Sequence, residues 1–352
     1  MPRLKTQFCL TVLIHVFVAL TGGVWKGQAS AAVGIEALRQ RLASRPQSKV
    51  SSTRQFIVIG HEPGSELGPL SRSNIRRDHI QMEPGLVAMI SEKIKSEFLF
   101  LFRRQNDAWE SQITLHINGK ANADTPINVA ANYSNRGWRF DVSLPGQVEK
   151  RRLVRAVVRV LLLDVANRGN RSGRVAEVPL WMQEGLAAYL YGISGPVMVP
   201  NIGTRLFGLH GPTIVPLQLA PAFEQDYQRL LGPERQHLEL FAALSFTDLQ
   251  HPMPGHLQGY PWQTFQACSH VFVSELLKLR DGRELLWKTI KMLPHFRNGQ
   301  MSFMEAFKHK FPSILAADKW WAVALVDFES RGDGNRWSEP RTLRLLDQIL
   351  HV

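Results

Sequence analysis

The sequence predicts an α+β fold, in which a small N-terminal α/β lobe precedes a mostly helical C-terminal lobe. Three observations support this class. Apolar residues alternate at strand spacing in short runs of the first third, one amphipathic helical pattern lies among them, and helical patterns dominate from Val148 onward. With 352 residues, 44% of them hydrophobic, the chain is long enough to bury a large core.

The N-terminus has the order of a secretory signal peptide. A basic region around Arg3 precedes the apolar run 8–20, and small residues end at Ala31. We expect a signal peptide over residues 1–31, cleaved after Ala31, and then a polar linker over residues 32–52. The alternative is an uncleaved N-terminal anchor, although the apolar run is shorter than the roughly 20 residues that cross a bilayer.

The N-terminal lobe is expected over residues 53–146. Its first strand is a β-rich run at 56–59, and an amphipathic helix follows at 82–102. The remaining strands are predicted at 113–117, 127–133 and 138–144, with a turn at Asn135-Arg136-Gly137 between the last two.

The helical lobe is expected over residues 147–330, followed by a C-terminal tail over 331–352. Frequent proline and glycine between Ser194 and Trp262 indicate long loops with short helices. The later helices are predicted at 265–279, 282–292, 302–311 and 317–328.

The chain is basic, with 42 Lys and Arg against 30 Asp and Glu. A basic surface favours anionic partners, but these residues are scattered and form no nucleic-acid-binding motif, so no nucleic-acid partner is expected. Of the two cysteines, Cys9 lies in the signal peptide, which leaves Cys268 without a disulfide partner in the mature chain. No later segment is apolar enough for a transmembrane span, so none is expected in the mature chain.

The most informative part of the sequence is 153–191. It starts with LVRAVVRVLLLDVANRG, and a connector leads to VPLWMQEGLAAYLYG. The second segment contains the pattern W-x-x-E-G-x-A-x-Y, formed by Trp181, Glu184, Gly185, Ala187 or Ala188, and Tyr189. This segment resembles the helix that carries the third zinc ligand, a glutamate, in gluzincin-type (peptidase MA-like) zinc peptidases. The resemblance makes Glu184 the counterpart of that ligand.

In the same family, an HExxH helix upstream supplies two histidine ligands and the general base. At the matching positions this chain has RAVVR, so Arg155 and Arg159 replace the histidines and Ala156 replaces the glutamate. The resemblance covers roughly residues 56–328 and implies a zincin-like two-lobed fold, with a mixed sheet in the N-terminal lobe. Weaker similarity to the closing helices of bacterial relatives lies at 269–277, 306–311 and Trp320-Trp321.

These substitutions imply that the zinc site and peptide hydrolysis are lost. Zinc-dependent hydrolysis needs a metal with an open coordination position and a carboxylate that takes a proton. An arginine stays protonated and offers no lone pair to a metal, and one carboxylate does not replace three or four ligands. We therefore expect no metal, no other cofactor and no catalytic residue.

The two arginines are expected one turn apart on a helix that is buried on nearly all sides. A buried guanidinium needs an acid, so we expect Arg155, Arg159 or both to form an ion pair with Glu184. In the alternative, both arginines reach solvent together with Arg151 and Arg152, and Glu184 caps or pairs with another helix. The other motif residues are expected to pack the second helix: Trp181, Gly185 and Tyr189.

Two further arrangements are weaker candidates. Cys268 and His270 lie two residues apart, so on a helix their side chains point in different directions, which favours a buried structural cysteine over a nucleophile. His251 and His256 lie in a proline-rich loop without further spaced ligands, which favours solvent-facing side chains over a rebuilt metal site. No G-x-S-x-G, P-loop, dinucleotide-binding or C-x-x-C motif is present.

The sequence as a whole favours an exported bacterial protein, periplasmic or extracellular, that resembles a metallopeptidase without catalysing hydrolysis. The protein is membrane-tethered if its signal is uncleaved. It is expected to bind a peptide, an envelope polymer or a protein partner, or to act as a scaffold, by analogy with other inactive enzymes. Two alternatives stay open: an active zinc peptidase with unrecognised ligands, and a structural or assembly protein in which the cleft has no role.

Overall fold

The structure is a computed structural model, and it describes residues 46–60, 78–105, 109, 111–135, 137–199, 230–330, 343–344 and 346–348. The expected signal peptide, most of the linker and most of the C-terminal tail lie outside the described residues. The described residues from Gln47 onward belong to one compact unit. The division of this unit into two lobes at residue 146 stays a prediction.

The described residues form an α+β fold, which confirms the predicted class. The strands are β1 (Gln47–Val50), β2 (Phe56–Gly60), β3 (His79–Gln81), β4 (Gln112–Asn118), β5 (Asn128–Ser134), β6 (Gly137–Pro145) and β7 (Gln147–Glu149). The helices are α1 (Pro84–Leu101), α2 (Lys150–Asn167), α3 (Leu180–Met198), α4 (Gly232–Leu240), α5 (Phe246–Gln250), α6 (Gly259–Lys278), α7 (Gly282–Met292), α8 (Gly299–Ala306) and α9 (Ile314–Ser330). None of the helices in this part of the chain is long and apolar enough to cross a membrane.

Five strands form a mixed sheet in the order β1-β2-β4-β6-β5. The three central strands are parallel, and the two edge strands run antiparallel to their neighbours. Val58 lies opposite Leu115, which in turn lies opposite Val142. Because paired residues point to the same face of a sheet, these buried side chains form part of one apolar surface. Strands β3 and β7 form a separate antiparallel pair.

The linker expected over residues 32–52 is wrong at its C-terminal end, because residues 47–50 form the edge strand β1. Backbone pairing with β2 makes this segment a strand. Its side chains are mostly exposed, so no apolar alternation marks it in the sequence. The predicted turn between β5 and β6 is confirmed at Gly137, where φ is +91° and a side chain would be strained.

Three helices, α2, α3 and α6, surround the candidate site. Helix α1 contacts strand β2 as well as helices α2 and α3, and α3 packs against both α2 and α6. The helix expected to begin at residue 265 begins earlier, at Gly259. Pro261 lies in its first turn, where the missing N–H removes no intrahelical hydrogen bond. This earlier start places Trp262 on the same helix as Gln266.

Candidate functional site

Helix α2 carries the two arginines of the RAVVR segment. The other side chains from Leu153 to Asn167 are buried, because valines and leucines surround the helix. Arg155 and Arg159 are half-buried, so they lie at the edge of the buried region. Ala156 is buried, and its methyl side chain has no group that could accept a proton.

Glu184 of helix α3 is the buried acid of this site. Its side chain is only 5% exposed, and the Nε atom of Arg155 lies 2.8 Å from its Oε2 atom. The same oxygen accepts a hydrogen bond of 2.9 Å from the Nε2 group of Gln266. One carboxylate oxygen therefore connects helices α2, α3 and α6. We call Arg155, Arg159, Glu184, Trp262 and Gln266 the Glu184 site.

The two arginines differ in how they act on Glu184. Arg155 forms the ion pair, and its side chain remains 31% exposed. Arg159 forms no ion pair with any residue that the structure describes, but its charge lowers the pKa of the Glu184 carboxyl from a longer distance. The site therefore contains two guanidinium groups and one carboxylate, which leaves an excess of one positive charge.

Burial has the largest effect on the pKa of Glu184. It raises the pKa of the carboxyl above its ordinary value, because an apolar environment disfavours the charged form. The Arg155 charge, the hydrogen bond from Gln266 and the Arg159 charge each lower the pKa again, but the balance stays raised. The ionised form of Glu184 therefore depends on Arg155, its nearest countercharge.

The neighbouring arginines of α2 have other partners. Arg152 donates hydrogen bonds to the backbone carbonyl oxygens of Ala123 and Thr125. The guanidinium of Arg151 lies 5.4 Å from the centre of the Tyr191 ring. The arginines at the start of α2 thus do not form a single row that faces solvent.

Sequence reasoning missed Trp262 and Gln266. The Trp262 ring centre lies 5.9 Å from the guanidinium carbon of Arg155, and Gln266 donates to Glu184. Residues four apart on a helix face the same side, so their spacing was a usable signal. A helix that begins at residue 265 leaves Trp262 outside it, so the predicted boundary hides this spacing.

The other motif residues pack helix α3 against its neighbours. The buried ring of Trp181 lies edge-on to Phe272, with ring centres 4.9 Å apart, and its indole N–H donates a hydrogen bond of 3.0 Å to Gln250 Oε1. Tyr189 is also buried. A Cβ atom at Gly185 would lie 2.3 Å from the Ser269 carbonyl oxygen. A glycine is therefore required where α3 crosses α6.

The residues present at the Glu184 site do not fit a catalytic zinc ion. The guanidinium of Arg155 lies against the carboxylate that the resemblance makes a metal ligand, and guanidinium nitrogens have no lone pair available for coordination. In the described ranges, no group of three or more His, Cys, Asp or Glu side chains is arranged to hold a metal ion. The chemistry of this site is therefore that of an ion pair and a hydrogen bond.

The loop histidines each have a local partner. The Nε2 atom of His251 lies 3.0 Å from Gln300 Oε1, and the Nδ1 atom of His256 accepts a hydrogen bond of 3.3 Å from the backbone N–H of Met253. His251 is exposed and His256 is half-buried. His251 thus faces solvent as expected, His256 does so only in part, and the hydrogen bonds of both favour a structural role over a rebuilt metal site.

Cys268 and His270 also have separate partners. Cys268 is fully buried, and its Sγ atom accepts a hydrogen bond of 3.4 Å from the backbone N–H of Leu244. The Nδ1 atom of His270 lies 2.9 Å from Glu234 Oε1. His270 therefore joins helix α6 to helix α4 and does not serve as the base of a Cys–His pair.

We expect Cys268 to resist alkylation in the folded protein. Burial raises the pKa of its thiol to about 12, and the thiolate is the reactive form. Iodoacetamide at pH 8, followed by mass spectrometry of the peptide that contains Cys268, should show modification only after unfolding in guanidinium chloride. Rapid stoichiometric modification of the native protein would contradict this.

Comparison of the chain with models of protein families, with curated proteins and with solved structures finds no match. The resemblance to gluzincin-type peptidases therefore rests on the sequence patterns alone, chiefly those of helices α2 and α3, and it stays a hypothesis.

Proposed function

We propose that this protein is an exported, gluzincin-like binding protein without catalytic activity, in which an arginine replaces zinc as the partner of the glutamate. The observation that carries the proposal is the 2.8 Å approach of Arg155 Nε to Glu184 Oε2. A fixed protein cation lies on the one carboxylate that the resemblance assigns to the metal. Such a site retains a positive charge and loses the metal-activated water.

The ligand that suits this site carries a carboxylate. Arg155 contacts Glu184 through its Nε and remains 31% exposed, and Arg159 adds a second half-buried guanidinium. Guanidinium groups bind carboxylates through paired hydrogen bonds. The Trp262 ring beside Arg155 offers apolar contact area. Peptides, and envelope polymers that carry peptides, share a free carboxylate end.

The first test is the zinc content of the purified protein. After equilibration with zinc and gel filtration, elemental analysis should find well under one zinc per chain, because the site offers a single carboxylate and two cations. One tightly held zinc that is lost in Glu184→Ala would refute the proposal and favour an active peptidase with unrecognised ligands.

The second test is peptide binding measured by fluorescence anisotropy. A labelled peptide with a free C-terminal carboxylate should bind at least about tenfold more tightly than the same peptide with an amidated end, as a charged hydrogen-bonded contact implies. Arg159→Leu should weaken binding of the free-acid peptide, whereas Arg297→Leu, at an exposed position, should not. Equal binding of the acid and amide peptides, or no binding of either, would favour a structural or assembly role.

A further inference from the structure

A cavity of about 360 Å³ lies beside helix α1, apart from the Glu184 site. Leu99 and Trp109 provide apolar wall, and the polar lining includes Thr53, Glu92 and Lys95. Ligand pockets in proteins typically have volumes of roughly 300–1,000 Å³. The cavity is therefore large enough for a small molecule.

Lys95 brings a buried cation with spare hydrogen-bonding capacity to this cavity. Its Nζ atom donates a hydrogen bond of 3.0 Å to the hydroxyl of Thr53, and Glu92 Oε2 lies 3.8 Å away, which is too far for a hydrogen bond. Because an ammonium carries three N–H groups, two of them have no hydrogen-bond partner among the described residues. Burial lowers the pKa of Lys95, and the nearby Glu92 charge offsets part of that effect.

Glu92 brings the complementary acceptor. Its Oε1 atom accepts hydrogen bonds from both the backbone N–H and the hydroxyl of Thr53. Its Oε2 atom faces Lys95 at 3.8 Å. The hydroxyl of Thr53 thus bridges the two charged groups and holds them apart, so that each keeps an unused hydrogen-bonding site on the cavity.

The charges in and beside the cavity are balanced. The Trp109 ring lies near two cations, with its centre 5.3 Å from Lys95 Nζ and 4.6 Å from the guanidinium carbon of Arg168. Arg168 is paired with Asp164 at 3.1 Å. The charged residues that line the cavity are one cation, Lys95, and one carboxylate, Glu92, which gives no net preference for an anion or a cation. The indole N–H of Trp109 is buried without a hydrogen-bond partner in the described structure.

We propose that this cavity binds a small zwitterion, such as a free amino acid. The ligand carboxylate accepts hydrogen bonds from the unused N–H groups of Lys95, and the ligand ammonium donates a hydrogen bond to Glu92 Oε2. A simple anion would leave Glu92 facing a like charge, and a simple cation would do the same to Lys95, so each is disfavoured. The Trp109 and Leu99 side chains contact the apolar part of the ligand.

This site is independent of the proposed function. None of the residues that line the cavity belongs to the Glu184 site. A negative result at one site therefore leaves the proposal for the other unaffected.

The test is calorimetric titration of the full chain with free L-amino acids, preceded by a thermal-shift screen of the whole set. We expect at least one amino acid to bind, and its N-acetyl derivative and its amide each to bind at least about tenfold more weakly, because each lacks one of the two charges. Lys95→Met and Glu92→Gln should each weaken binding by a similar factor. Lys120→Met, at an exposed position, should not change it.

Circular dichroism establishes that each variant is folded. If Lys95→Met does not fold, the binding measured for Glu92→Gln decides the test. The proposal is overturned if no amino acid binds, if the acetylated or amidated form binds as tightly as the zwitterion, or if a folded Lys95 or Glu92 variant binds like the wild type.

Discussion

Arg155→Leu is expected to lower the free energy of unfolding by about 2–3 kcal/mol at pH 7. The substitution leaves the carboxylate of Glu184 buried without its ion-pair partner. Removal of one partner of a buried pair typically costs about 3–5 kcal/mol, but Arg155 is partly exposed, so water relieves some of the loss. Chemical denaturation followed by circular dichroism measures the change.

Arg159→Leu is the matched control for this prediction. It removes a half-buried arginine from the next turn of the same helix, and Arg159 forms no ion pair with a described residue, so the loss should stay below about 1 kcal/mol. The double substitution Arg155→Leu and Glu184→Gln should recover most of the stability, because it removes both charges. A loss of similar size in the two arginine variants would show that the ion pair with Glu184 contributes little.

The loss of unfolding free energy caused by Arg155→Leu should also become smaller as the pH falls from 7 towards 5. The pKa of Glu184 in the folded protein is raised above 4.5. The protonated carboxyl therefore contributes its full stabilisation of the fold below pH 4.5. This contribution is lost as the pH rises through the folded pKa. Without Arg155 the pKa rises further, and protonation removes the orphaned charge. An unchanged deficit at pH 5 would contradict this linkage.

Gly185→Ala is the second substitution with a large expected effect, a loss of about 3 kcal/mol in unfolding free energy. The new Cβ atom would lie 2.3 Å from the Ser269 carbonyl oxygen and 2.5 Å from a methyl group of Val273. The first contact is with backbone, so helices α3 and α6 must separate, which also moves Glu184 away from Gln266. Thermal and chemical unfolding measure the loss.

Gly85→Ala is the matched control for the glycine at the helix crossing. Gly85 lies in the first turn of α1, and nothing lies within 4 Å of its added Cβ atom. Alanine is the better helix former, so this variant should be neutral or up to about 1 kcal/mol more stable. Equal effects of the two substitutions would mean that helix propensity, and not the close crossing, determines the result at Gly185.

Local sequence patterns were sufficient for the fold class and for most elements. Apolar residues alternate in β4 and recur at helical spacing in α1 and α2, because one face or the whole of each element is buried. Burial therefore produces a periodic pattern of apolar residues in the sequence. The burial of α2 placed Arg155 and Arg159 at a costly position, and the W-x-x-E-G pattern identified Glu184 as the acid of interest. None of these inferences requires knowledge of which elements are neighbours.

Tertiary structure alone decided the remaining features, because they depend on how separate segments meet. Strand β1 exists through backbone hydrogen bonds to β2 and has no apolar pattern of its own. The relative rotation of α2 and α3 brings Arg155, and not Arg159, to Glu184, and the crossing of α3 and α6 adds Gln266. The cavity at Lys95 likewise joins residues 42 positions apart through Thr53. An ion-pair partner and a cavity are properties of packing, which spacing along one segment does not record.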